Sequence, residues 1–166
     1  MKRIILAAAA AMSLAAVSPS YADDAIVTYK SLSPDVAFEL AHAALQQCRK
    51  DGFQVAVAVL DRFGLPLVML RDRYAGLPAL DIAKDKAWTS VSFRANTSDL
   101  VKSMEAGNLP VGRAGVSHIL MLAGGVVIEA GGSMLGAVGV SGAPGGDKDE
   151  ACAKAGVAAV SSKLEF

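Results

Sequence analysis

The stretch Leu135-Gly136-Ala137-Val138-Gly139-Val140-Ser141-Gly142, running on into Ala143-Pro144-Gly145-Gly146-Asp147, decides the fold. Its alternation of small and β-branched residues predicts a buried strand, and the glycines leave room for another backbone or a ligand to come close. The strand breaks at a Gly/Pro turn. Asp147, Asp149 and Glu150 then stand where a helix should start, their carboxylates set against the positive end of its dipole. A strand, a glycine hinge with an exposed serine and a helix start make a candidate ligand site, with Gly139, Ser141 and Gly142 as its pocket residues. Geometry of this kind does not name the ligand.

Outward from that strand, the two Gly-Gly pairs, Gly124-Gly125 and Gly131-Gly132, fit tight hairpins that need positive φ. They separate three expected strands at 118–122, 126–130 and 134–140. Residues 53–60 and 65–71 read as another hairpin around Arg62-Phe63-Gly64. Ser33-Pro34 opens a helix through Lys50, with serine as N-cap and proline at the first position. Ala37, Leu40, Ala41, Ala44, Leu45 and Cys48 recur along it at helical spacing. Further helices are expected after Gly76-Leu77-Pro78 to about Ala95, from Ser98 to Met104, and from about Asp147 to Lys163, with a glycine-rich loop between 106 and 115. The order α-β-β-α-α-β-β-β-α predicts an α+β domain: a five-stranded, mainly antiparallel sheet covered by helices. The glycines of the central strand predict a helix packed very close to that sheet.

The first 22 residues read as a signal peptide rather than as part of the fold. Lys2 and Arg3 form a basic start, residues 4–17 an apolar stretch, and Ser20-Tyr21-Ala22 supplies small residues at the cleavage positions. The apolar stretch falls short of the ~20 residues needed to span a bilayer, so cleavage before Asp23 is expected. A single domain over 23–166 should be periplasmic or secreted, with no stable membrane insertion. Loss of Lys2 and Arg3 turns a formal net charge of +0 slightly acidic, which disfavours nucleic acid and anionic membrane surfaces as partners. Cys48 and Cys152 are the chain's two cysteines. In an oxidising compartment such a pair invites a disulfide; the alternative is two small buried hydrophobes.

Taken together, Val57-Ala58-Val59-Leu60-Asp61-Arg62-Phe63-Gly64, Arg71, Ile82-Ala83-Lys84-Asp85-Lys86-Ala87, Gly124-Gly125, and Gly136-Ala137-Val138-Gly139-Val140-Ser141-Gly142 with Asp149-Glu150 resemble the GlcG/HbpS family. The likeness runs from about Leu32 to Ser161. It implies a profilin-like domain, often assembled into homo-oligomers. Some members are exported haem-binding or haem-degrading proteins, one class modulates a membrane sensor, and others accompany glycolate or diol metabolism. The chain departs from the usual family pattern at Arg71-Asp72-Arg73, Trp88-Thr89-Ser90 and Val126-Val127-Ile128-Glu129, which flank the expected pocket.

Haem requires an apolar slot, an axial ligand and cations for its propionates. The histidines, His42 and His118, are the candidate axial ligands. Met69, Met104, Met121 and Met134 could also ligate iron but read as core filler. Arg71 and Lys86 are candidate partners for propionates or for a small carboxylate, and either could instead pair with Asp61. Asp61 could equally cap its own hairpin turn. Spacings typical of structural zinc are absent, and Ser141 lacks the GxSxG setting of a hydrolase nucleophile. Haem binding is the first reading. A small oxygenated metabolite, a carboxylate or aldehyde held near Asp61, Arg71 and Lys86, is the second, and a regulatory oligomer acting on a membrane sensor is the third.

Overall fold

A computed structural model describes residues 26–109 and 115–165. The expected signal segment, 1–22, lies outside the described residues. Helices α1 (Pro34–Lys50), α2 (Ala79–Phe93), α3 (Thr97–Glu105) and α4 (Gly146–Ala159) accompany strands β1 (Ala56–Asp61), β2 (Pro66–Arg71), β3 (Gly125–Ala130) and β4 (Ser133–Ser141). The strands form one antiparallel sheet in the order β2-β1-β4-β3.

Strand alternation sends successive side chains of β1 to opposite layers. Val55, Val57 and Val59 join the main core with α1 and α4, whereas Ala56, Ala58 and Leu60 face α2. The first face is broad and aliphatic, with Leu40, Leu45, Ile128, Val138 and Val140 buried in it. The second is built from small residues. A Cβ on Gly139 would lie 1.9 Å from the Ala83 carbonyl oxygen, so the backbone of α2 rests directly on β4 there. This is the close approach that the glycines of β4 predict. Gly131 and Gly132, at φ 53° and 72°, make the tight turn between β3 and β4.

Cys48 of α1 and Cys152 of α4 form a disulfide with their Cα atoms 5.5 Å apart. Both lie on buried helix faces, so the bond ties together the two helices of the aliphatic layer.

Among the described residues the sheet has four strands, not five. Residues 118–122, read as a strand from their apolar run, form an irregular strap beside α2. His118 adopts φ 67°, outside the extended region. The Leu120 N–H donates to the Thr89 hydroxyl at 2.8 Å, and the Leu122 N–H turns back to the Leu120 carbonyl. Those groups are thereby engaged with α2 and with the strap itself instead of with a neighbouring strand. Gly124-Gly125 consequently leads the chain into β3 rather than closing a hairpin. Gly125 sits where a Cβ would come 2.5 Å from the Lys86 carbonyl.

Candidate functional site

The α2 face carries a cavity of about 510 Å³, bounded by the start of α2, the strap at 121–123 and the β4–α4 loop. Ile82, Val101, Met121 and Pro144 give it apolar walls, while Lys86, Ser141, Asp147 and Asp149 supply its polar side chains. Lys86 is 3% exposed. Its Nζ donates to Asp149 at 2.7 Å and to the Val140 carbonyl at 3.0 Å. An ammonium has three N–H groups, so one remains for a ligand.

Asp149 is fixed from the other side by the Ala143 N–H, 3.0 Å from its second oxygen. Burial pushes the Asp149 carboxyl above the ordinary carboxylate range, against the opposing pull of Lys86 and of that N–H. Ser141, expected to be exposed on its hinge, is buried at 7% exposure at the end of β4. Its hydroxyl makes no hydrogen bond to the described protein groups. Gly142, at φ 132°, lets the chain turn from β4 into the loop over the cavity, a conformation that suits glycine.

The remaining candidate residues are dispersed. Gly139 packs against α2 and does not line the cavity. Asp61 ends β1, where its Oδ1 accepts the N–H groups of Phe63 at 2.8 Å and Leu65 at 2.9 Å; it closes the hairpin turn. Arg71 is exposed and donates to the Ala75 carbonyl at 3.1 Å, bracing the connection to α2. Neither pairs with Lys86, whose carboxylate partner is Asp149. The sequence placed Asp149 at a helix start but gave no sign that it turns inward to a lysine 63 residues away.

The two histidines lie in different layers. His42 is on the exposed side of α1, stacked at 6.0 Å on Phe38, with its Nε2 3.1 Å from the Gln46 amide. His118 lies on the strap beside α2. Its Nδ1 is 3.1 Å from Asp85, and its ring centroid is 5.9 Å from that of Trp88. An ionised carboxylate only accepts hydrogen bonds, so in the neutral ring this contact favours the tautomer with the proton on Nδ1 and the lone pair on Nε2. With its side chain 54% exposed, His118 can be reached by a ligand.

A helix–sheet–helix sandwich with a lysine-lined cavity and an accessible imidazole on one layer defines a small α+β domain of the haem-degrading-protein fold class. The chain belongs to the HbpS-like family of haem degrading proteins, whose family model matches residues 32–158. A double mutant of HbpS from Streptomyces reticuli is similar in structure: 38% identity, TM-score 0.75, 90% of this chain and 97% of that one. The structure of a PduOC–haem complex matches with 26% identity and TM-score 0.73, covering 78% of this chain and 94% of that one. An uncharacterised 15.0 kDa protein from the dhaT–dhaS intergenic region of Citrobacter freundii is 29% identical over 108 residues, 64% of this chain and 76% of that protein.

Proposed function

We propose that this protein binds haem outside the cytoplasm, with His118 as the axial ligand. The observation that carries the reading is the Asp85–His118 contact, which fixes the ring and leaves Nε2 free for iron. Family membership and the PduOC–haem relative support haem as the ligand. When bound, the haem supplies the iron chemistry; this chain orients the imidazole and offers the Trp88 indole beside it. The Cys48–Cys152 bond supports an oxidising compartment, periplasmic or secreted, in keeping with the basic-then-apolar start of the chain. Self-association, and action on a membrane sensor, remain part of this reading through the family resemblance.

Haemin titration of the protein followed in the Soret band tests the proposal. A saturable, stoichiometric shift is expected, abolished or displaced in His118→Ala and retained in His42→Ala. A featureless, non-saturating response overturns haem binding; an unchanged spectrum in His118→Ala overturns the ligand assignment.

A second reading is favoured by a separate observation, the spare Lys86 N–H and the unpartnered Ser141 hydroxyl in one apolar-walled cavity. That lining suits a small oxygenated ligand, a carboxylate or aldehyde, with Lys86 and Ser141 holding its oxygens. Saturable binding of such a compound that Lys86→Met abolishes is expected under this reading. No binding across a panel of short hydroxy acids and aldehydes overturns it.

A further inference from the structure

A second cleft, of about 380 Å³, lies between the β1–β2 turn and the C-terminal end of α2. Tyr29, Arg62, Phe63, Trp88, Arg94 and Met134 are among its walls. It brings two guanidinium groups to an aromatic surface, and neither has a carboxylate at ion-pair distance among the described residues. Arg62 is held without being neutralised: its guanidinium lies 4.6 Å from the centre of the Tyr29 ring and donates to the Lys30 carbonyl. Arg94 closes α2 at φ 52°, in the left-handed region where glycine would end a helix without steric cost.

The cleft is continuous with the His118 neighbourhood through one side chain. Asp85, Trp88 and Ser92 follow one another at helical spacing along one side of α2. Asp85 orients His118 at one end, Ser92 and Arg94 line the cleft at the other, and Trp88 both neighbours His118 and forms a cleft wall. Nine residues separate Asp85 from Arg94, about 13–14 Å along the helix axis at ~1.5 Å per residue. A haem held through His118 and extending along this path would bring its carboxylates within reach of the arginines. Guanidinium forks match carboxylates with two parallel hydrogen bonds.

We propose that Arg62 and Arg94 receive the two propionates of a haem lying along α2 over Trp88. The inference rests on the haem reading above and changes its cation assignment. Lys86 has its charge met by Asp149. Arg71, like Arg62 and Arg94, has no carboxylate at ion-pair distance among the described residues, but only Arg62 and Arg94 stand on the walls of the cleft beside Trp88.

Titration of the wild type and of Arg62→Ala/Arg94→Ala with haemin, protoporphyrin IX and protoporphyrin IX dimethyl ester tests the inference, with far-UV circular dichroism as the folding control. The wild type is expected to bind the diacid at least tenfold more tightly than the diester. The double variant is expected to lose at least tenfold for haemin and diacid while binding the diester as the wild type does. The His118→Ala protein should still bind the iron-free diacid. Equal wild-type affinity for diacid and diester overturns the proposal without use of any variant. A double variant within twofold of the wild type for haemin overturns it while leaving haem binding intact. A wild type that takes up no haemin saturably overturns the haem reading and this proposal with it.

Discussion

The two faces of the sheet are built on different terms. On the α1/α4 side, large aliphatic side chains interlock and a disulfide ties the helices together. On the α2 side, alanines and glycines let a helix backbone touch a strand; there lie a cavity, an accessible histidine and Lys86, which reaches Asp149 at the start of α4 in a buried ion pair. Close backbone packing leaves few long side chains to fill the periphery, so polar groups and open space gather there. The difference teaches that one face secures the fold by interlocking bulk while the other gives up bulk for polar groups and open space.

The sharpest way to break this contrast is at the Lys86–Asp149 pair. Asp149→Ala leaves a buried ammonium without its counter-charge, and a loss of about 3–5 kcal/mol in urea unfolding is expected. Lys86→Met with Asp149→Leu removes both charges and should return stability to near the wild-type value, since burial of the pair itself is costly. A double variant as weak as the single one would show that the pair holds the face together. The pH dependence follows in sign. With the Asp149 carboxyl raised above its ordinary 3.8 by burial, the native state holds that proton more tightly than the unfolded chain. Its contribution is therefore fully present below 3.8 and is lost as pH rises through the raised value. Asp149→Asn should remove that fall from a stability–pH profile.

The opposite face is probed by Cys48→Ala with Cys152→Ala. Opening a cross-link between residues 104 apart in sequence should cost about 2–5 kcal/mol, read from denaturant midpoints. Haemin affinity should stay within twofold of the wild type, because His118 and the α2 face lie across the sheet from the bond. A large loss of affinity with the fold retained would join the two faces and end the division of labour.

At the boundary between the layers, Gly139→Ala places a methyl group against the Ala83 carbonyl, where no flexible side chain can give way. Overpacking of this kind costs about 1–3 kcal/mol. The displaced α2 should also disturb the cavity, whereas an alanine at Gly132, an open turn position, should affect stability alone through its positive φ.

This asymmetry also explains what the sequence made legible. Apolar periodicity marked α1 because one face of that helix is buried at helical spacing, and the apolar runs either side of Arg62-Phe63-Gly64 marked the first hairpin, although β1 is buried on both faces and β2 is only half-buried. The glycine spacing of β4 announced a close helix because backbone contact admits no Cβ at Gly139. The strap at 118–122 carries the same apolar run as a strand, yet Thr89, remote in sequence, takes one of its N–H groups. That competition is tertiary and leaves no local trace. The candidate site was legible in residue type more than in grouping. Lys86, Ser141 and Gly142 meet at one cavity, but Asp61 and Arg71 serve their own turns, and the inward turn of Asp149 depends on where α4 lands.

The smallest expected effect discriminates most finely between a structural and a ligand-directed polar group on the α2 face. A buried hydroxyl is normally hydrogen-bonded, and losing that bond costs about 1 kcal/mol. The Ser141 hydroxyl has no partner among the described protein groups, although the residue is only 7% exposed. Ser141→Ala should therefore change the unfolding free energy by less than about 0.5 kcal/mol, in either direction, while weakening any oxygenated ligand that the cavity holds. Isothermal unfolding and ligand titration on the same variant separate the two outcomes. A loss well above that bound would mean that the hydroxyl supports the fold, leaving Asp147 and the Lys86–Asp149 pair as the polar side chains of the cavity.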